Sequence, residues 1–376
     1  MIEVMQMKTI TTGTTEQYNI YIGKDLLFSL AEKTNMIART KRVVILTDDI
    51  VHKLYFDVVY SSLSCEGYEV LKYVIENGEN SKDSENYISI LNFLAENKIS
   101  RDDTLISLGG GVVGDLGGFV SATYLRGIRY ANVPTTLLSA VDSSIGGKTA
   151  INLESGKNLV GAFYPPSLVV CDLTTFKTLP EDVFREGTAE VIKYGAIMDR
   201  DFFNTLSNKM GDNSHFSLYD KLEGSLEDIV CRCVEHKLNI VSQDEFDRGN
   251  RKLLNFGHTI AHTLEKLSNY DISHGYAVAK GMAFMAYFSF KFGACSKQCF
   301  YSLFELLSAY GFNLDIKFNH NDIFNILISD KKVSADKIDL ILLKDIGDAF
   351  IYPVSIVKLK TMLCEILEDY NNESFS

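Results

Sequence analysis

Four positions separate His258 from His262 in NFGHTIAH, and His274 follows in SHGYAV. On a helix the first two imidazoles share one face, the arrangement of paired metal ligands. Upstream, AEVIKYG sets Glu190 and Lys193 three apart among small and apolar residues. That setting predicts a buried pair, because a charge stranded inside a protein is costly. A glutamate with two histidines is a common catalytic zinc set that leaves positions open for substrate. Residue types leave open which two of the three histidines bind, and spacing alone favours His258 with His262.

A second stretch with chemical potential is GGGVVGDLGG, Gly109–Gly118, directly after an apolar run. Gly109, Gly111 and Gly114 satisfy GxGxxG, the dinucleotide spacing. That fingerprint belongs after a first strand, with an acid about twenty residues on for the ribose. Here Pro134 holds the acid's place, and Asp48, ending the early run RVVILTDD, is the better ribose candidate. The glycines therefore predict a pyrophosphate loop of another design, built on close backbone approach and open amides. Tight packing of a helix on a strand would call for the same residues. SSIGGKT ends like a P-loop, but Asp142 occupies the position of its leading glycine, which excludes a triphosphatase reading. Arg126, Arg129, Lys148, Lys157 and Asn158 give a basic and polar series suited to a phosphate or carboxylate.

These residues need a frame. RVVILTDD (Arg42–Asp49), EVLKYVIE (Glu69–Glu76), DTLISLGG (Asp103–Gly110) and SLVVCDL (Ser167–Leu173) read as strands, and SENYISILNFLAENKI (Ser84–Ile99) as a helix. The alternation predicts a largely parallel sheet with helices on both faces. From Glu181 the periods turn helical, in EDVFREGTAEVIKYGAI, SLEDIVCRCVEHKLNIV, GYAVAKGMAFMAYFSFKFG and YSLFELLSAYGF. Pro180 is placed to stop one element, so the expected domains are an α/β domain over 1–179 and an α-helical domain over 180–376.

Of 376 residues, 46% are hydrophobic and 23% charged, the balance of a globular protein with room for two cores. No apolar run spans a bilayer, and the first residues read as a strand pattern instead of a signal peptide, so the expected location is cytoplasmic, off the membrane. Seven scattered cysteines without CxxC spacing predict reduced thiols. A net charge of −12 excludes a nucleic-acid partner. It also requires that any anionic ligand find a local basic pocket inside an acidic shell.

The segments GGGVVGDLGGFVSATYLRGIRYANVPTTLLSAVDSSIGGKTAIN, GKNLVGAFYPP, AEVIKYG, GNRKLLNFGHT, HGYAVAKGM and DKK, in this order over most of the chain, resemble the 3-dehydroquinate synthase family of the sugar phosphate cyclases. The resemblance implies a Rossmann-like α/β domain followed by an α-helical domain, NAD, a divalent metal (zinc or cobalt) and a homodimer. It implies that 3-deoxy-D-arabino-heptulosonate 7-phosphate is converted to 3-dehydroquinate and phosphate in the shikimate pathway. The steps would be transient oxidation by NAD, phosphate elimination, reduction, ring opening and intramolecular aldol closure.

By position, the implied metal ligands are Glu190, His258 and His274, against the spacing argument. His262, Lys148, Asn158 and a lysine of DKK (Lys331 or Lys332) would meet the substrate phosphate, with Arg126 reaching it from the neighbouring subunit. Lys237 and Arg251 match the carboxylate-holding positions, and Asp142, Lys193 and Asn255 those that bind ring hydroxyls. Asp48, Glu79, Lys82, Gly110, Gly111, Val112, Asp115, Thr135 and Thr136 match the NAD positions, joined by Lys148 and Lys157. Family members usually read HTxGHA and HGEAV, whereas Ala261, Thr263 and Tyr276 stand here. The first change is expected to tighten helix packing, and the last to remove an acidic partner of His274. Competing readings are another cyclase acting on glucose 6-phosphate or sedoheptulose 7-phosphate, a net polyol oxidoreductase, and a silent NAD-binding protein.

Overall fold

The structure, a computed structural model, describes residues 7–211, 216–330 and 337–373. The chain divides into two compact units, Met1–Pro180 with Gly224–Phe246, and Glu181–Glu223 with Asp247–Ser376.

Among its described residues the first unit has nine strands, β1 (Met7–Thr11), β2 (Asn19–Gly23), β3 (Arg42–Asp48), β4 (Glu69–Ile75), β5 (Thr104–Gly109), β6 (Arg129–Pro134), β7 (Lys148–Leu153), β8 (Gly156–Phe163) and β9 (Leu168–Asp172). Seven form one sheet in the order β1-β2-β9-β6-β5-β3-β4, parallel throughout except for β1 on β2. β7 and β8 pair separately as an antiparallel hairpin. The unbroken apolar runs of β3 and β5 follow from burial on both faces. Val43, Ile45, Ile106 and Leu108 point into one core with Phe56, Val59 and Leu63 of the helix Asp49–Cys65. Val44, Leu46 and Leu105 point the other way, onto Ile90 and Leu94 of Ser84–Glu96 and Leu116 and Val120 of Gly111–Thr123. From β3 the chain steps outward to β4, then returns to lay β5 on the opposite side of β3. Such a reversal of strand order opens a crevice at the carboxyl ends of the two central strands. Thr47 pairs with Leu108 there, which puts Asp48 beside the Gly109 end of β5.

The first cut falls at 180/181, one residue from the expected 179/180, but the expected uninterrupted α-helical domain over 180–376 needs correction. The helix Leu226–Gln243, assigned from its period to the α-helical half, belongs to the first unit. It packs on β2 and on the turn Ser139–Ser143, where Lys237 Nζ donates to Asp142 O at 2.5 Å and to Asp142 Oδ1 at 2.7 Å. Helical periodicity reports the element and not its partner, so the return of the chain is invisible locally.

The second unit is mostly helical. At its centre His274–Lys291 is buried around nearly its whole circumference, as its apolar sequence demands. Against it pack the helices Glu181–Met198, His258–Leu267, Lys297–Ala309 and Ile356–Asn372. An antiparallel hairpin, β10 (Lys337–Asp345) and β11 (Asp348–Ser355), interrupts this helical unit. Gly347 turns it with φ of 84°, and Pro353 fits because each strand of a two-stranded sheet is an edge. Among the described residues no helix is long and apolar enough to cross a membrane.

Part of the glycine-rich stretch does answer to packing. A Cβ on Gly117 would lie 2.0 Å from Ser107 Oγ and 3.2 Å from Leu46 and Leu105 side-chain carbons. Gly117→Ala should therefore lower unfolding stability by about 1–3 kcal/mol, read from urea denaturation. Gly224→Ala, where nothing lies within 4 Å, should stay within about 0.5 kcal/mol of the parent.

Candidate active site

Glu190 sits mid-helix in Glu181–Met198 with its side chain fully buried. Three cationic or cation-binding groups converge on it. Lys193, one turn along, ion-pairs with Oε2; His258 Nε2 lies 3.3 Å and His274 Nε2 3.5 Å from Oε1. The donor atoms of Glu190, His258 and His274 all fall within 4.8 Å of one another. Neither Glu190 oxygen has an aligned hydrogen bond from protein, so this buried carboxylate presents open lone pairs to the space the imidazoles share. A glutamate oxygen and two imidazole nitrogens around one point fit a tetrahedral divalent ion with one position left over.

His262 does not share that arrangement. Its ring stands edge-on to His258 with centroids 5.6 Å apart, and its side is exposed. The spacing argument for His258 with His262 therefore fails: His258 opens the helix His258–Leu267, and the second nitrogen comes from the start of the next helix.

Electrostatics shape the set. Burial would raise the Glu190 pKa, but Lys193, then His258 and His274, outweigh it and hold the carboxyl well below its usual range. For His274, burial would lower the pKa, yet Glu190 and Glu265 push it up to about 10. Glu265 was not foreseen. It is buried on the same helix, seven residues after His258, and its Oε1 lies 3.5 Å from His274 Nδ1. A carboxylate behind a ligating imidazole fixes which nitrogen carries the proton. The loss of a partner expected from Tyr276 is thus overturned, because Glu265 supplies it. Tyr276 turns instead to Arg185, whose Nη1 donates to its hydroxyl at 3.0 Å, and stacks edge-on with Phe312. His258 is held separately, its Nδ1 3.2 Å from Phe256 O. The signal for Glu265 was present in the sequence as the 258/262/265 spacing of one helical stripe.

The backbone around these histidines is tightly fitted. Gly257, the residue before the His258 helix, has φ of 81°, and a Cβ there would meet Met282 N at 2.8 Å. Ala261 is fully buried at the same helix crossing. Elsewhere in the second unit Arg251 is buried and Asn255 exposed. Lys331 and Lys332 lie outside the described residues.

In the first unit the positions matched to NAD gather at the carboxyl edge of the sheet. Gly110 is the N-cap of Gly111–Thr123, so no capping side chain competes for the amides of Gly111 and Val112. Thr135 N donates to Gly109 O at 3.0 Å, while Thr135 Oγ1 is buried without a protein partner. A Cβ on Gly110 would press Thr136 Cγ2 at 3.2 Å. Asp48 Oδ1 caps its own helix through Ile50 N and Val51 N, which leaves Oδ2 for a hydroxyl. Next to this edge Lys82 ion-pairs with Asp115 and donates to Asn158 Oδ1 at 2.5 Å, and Asn152 Nδ2 donates to Glu79 Oε1 at 2.8 Å. Burial raises the Asp115 pKa, against the pull of Lys82. An orphaned hydroxyl, open helix amides and a free carboxylate oxygen fit a dinucleotide.

The remaining candidates are more dispersed. Lys148 starts β7 and Asn158 lies in β8, both exposed, and Lys157 is half-buried beside Asn158. Arg126 is exposed in a short turn where Leu125 and Arg126 take φ of 50° and 66°, left-handed values that side chains rarely adopt. Asp142 is engaged by Lys237.

Comparison with known proteins places these residues in context. Residues 72–186 match the family model described as 3-dehydroquinate synthase N-terminal, and residues 187–333 that described as 3-dehydroquinate synthase C-terminal. A 3-dehydroquinate synthase of Clostridium acetobutylicum is 41% identical over 352 residues, 93% of this chain and 97% of the relative. Among solved structures, 2-deoxy-scyllo-inosose synthase complexed with carbaglucose-6-phosphate, NAD+ and Co2+ aligns with a TM-score of 0.81 at 25% identity, covering 95% of this chain and 100% of that one. A 2-epi-5-epi-valiolone synthase from Streptomyces hygroscopicus with NAD+ and Zn2+ bound shares the fold, with a TM-score of 0.84 at 23% identity over 98% of this chain and 99% of that one.

Two outcomes test the metal set. Glu265→Gln should weaken zinc binding about 10- to 100-fold in chelator competition while leaving the fold intact. Metal-free His274 keeps its proton up to about pH 10, so zinc must displace it. Below that pH, affinity should fall about tenfold per unit of acidification, and calorimetry in buffers of different ionisation heat should count the released proton.

Proposed function

The chain belongs to the 3-dehydroquinate synthase family, and we propose that it converts 3-deoxy-D-arabino-heptulosonate 7-phosphate to 3-dehydroquinate and phosphate as an NAD- and divalent-metal-dependent lyase. The observation that carries the reading is the fully buried Glu190 carboxylate, unsatisfied by protein hydrogen bonds, facing His258 and His274. When bound, the ion lowers the pKa of substrate hydroxyls and the nicotinamide accepts and returns a hydride, chemistry that side chains cannot supply.

This chain's own groups do the rest. Glu190, His258 and His274 hold the ion, with Glu265 and the Phe256 carbonyl turning the two Nε2 atoms toward Glu190. Lys193, beside the carboxylate, favours the ionised form of a ring hydroxyl, and Asn255 donates to a neighbouring one. His262, Lys148, Asn158 and one lysine of the pair Lys331 and Lys332 take the phosphate, stabilising the charge that grows on it as the carbon–oxygen bond breaks. Arg126 adds a further cation from the second copy of a homodimer; its exposure and left-handed backbone suit a residue that serves a neighbour. Lys237 and Arg251 take the substrate carboxylate. In the first unit Asp48 binds a ribose hydroxyl, and the amides of Gly111 and Val112 the pyrophosphate. Gly110, Thr135 and Thr136 shape that edge, while Glu79, Lys82, Asp115 and Lys157 line it. The protein works as a cytoplasmic enzyme, as a biosynthetic role on a soluble sugar phosphate requires.

Carboxylate recognition separates this substrate from the neutral sugar phosphates of related cyclases. A buried guanidinium, that of Arg251, suits a carboxylate, which a sugar lacking one would not call for.

The purified protein with heptulosonate 7-phosphate, NAD and zinc should release phosphate and ring product in equal amounts with no build-up of NADH. Accumulating NADH would make it a net oxidoreductase. Arg251→Ala should raise KM about 10- to 100-fold, the loss of a charge-assisted contact. An unchanged KM would remove the carboxylate assignment.

A further inference from the structure

Outside the site already described, one other cluster brings metal-type donors together among the described residues of the second unit. His320 is the first residue of the helix His320–Asp330, and Cys364 and Glu368 lie one turn apart on Ile356–Asn372. At that spacing the thiol and carboxylate share one face. Glu368 Oε1 lies 3.6 Å from His320 Nδ1 and 3.8 Å from Cys364 Sγ, and the three donor atoms all fall within 4.8 Å of one another. A tetrahedral zinc ion with bonds of about 2.0–2.3 Å holds its ligand atoms roughly 3.3–3.7 Å apart. Two of the separations therefore stand near coordination edges before any ion enters. A thiol is a weak hydrogen-bond donor, so a hydrogen-bonded cluster gains little from Cys364, whereas a metal site gains its strongest ligand.

We infer that His320, Cys364 and Glu368 form a second divalent-metal site, selective for zinc or another borderline-soft cation. Sulfur and imidazole favour such ions over magnesium and calcium, whose sites are built of oxygen. His320 and Cys364 are partly buried and Glu368 is exposed, so the ion enters from solvent and keeps water in its fourth position. On binding, the Cys364 thiol gives its proton to solvent and the thiolate takes the metal. The ion would clasp the start of one helix to the middle of the other.

The Glu190 set has no sulfur, and that makes the two sites separable by spectroscopy. Cobalt(II) titrated into the full-length protein should give a thiolate-to-cobalt charge-transfer absorption in the near ultraviolet, and dialysis against zinc should leave two ions per chain. Cys364→Ser should abolish the absorption, reduce the count to one, and keep turnover within about twofold, since the residue lies outside the reaction site. His320→Asn, which retains the thiol, should weaken the cobalt absorption at least about tenfold and decides the matter should the serine variant fold poorly. A wild-type protein without the absorption, a zinc count of one, or an absorption that survives Cys364→Ser overturns the proposal.

Discussion

A carboxylate fully buried inside the second unit, with no aligned protein hydrogen bond, governs how that unit is arranged. Removing an ion of this kind from water costs several kcal/mol, by rough reckoning, unless opposite charge surrounds it. Glu190 is therefore viable only because Lys193 stands one turn away and two imidazoles face it. Those imidazoles sit at the first positions of two successive helices, so the path of the chain between Gly257 and His274 is fixed by the need to present both to one oxygen. Glu265 extends the alternation of charge outward, acid behind base behind acid. A divalent ion at the centre would take the place of a proton on His274.

The first unit poses a different problem, that of offering an anion site in a protein of net charge −12. Its answer uses few charged side chains. Backbone amides at the start of Gly111–Thr123 and an unpartnered Thr135 hydroxyl supply donors. Lys82, buried there, is tied to Asp115 and Asn158, so it organises the rim. Local dipoles can thus oppose the field of an acidic surface, because a low-dielectric edge weighs near groups above distant ones.

Much of this was legible in the sequence. The strands β3, β4, β5 and β9 and the helix Ser84–Glu96 stand within a few residues of where composition and period put them, because residues buried on both faces leave a run that little else explains. The α/β and α-helical classes followed from the same signals. Besides Glu265, three things escaped. The helix Leu226–Gln243 announced itself as a helix but not as a member of the first unit, since pairing across ninety-five positions, Asp142 to Lys237, leaves no local trace. β11 hid behind Pro353, which argues against a strand unless the sheet has only edges, and β10 went unread with its partner. The metal set misled on spacing, because a helical face shared by His258 and His262 says nothing about a third histidine that arrives on another helix. Glycine carried two meanings at once: Gly110 and Gly111 open the anion edge, whereas Gly117 lets a helix touch β5.

The return of the chain to its first unit also governs how the protein is made. Residues 1–180 emerge from the ribosome without the helix that covers β2 and engages Asp142, and that helix follows only after forty-three residues of the other unit. The nascent α/β layer must therefore wait, partly uncovered, until synthesis passes residue 246. A gene severed at Pro180 would yield a fragment that lacks the helix Leu226–Gln243 of its own unit.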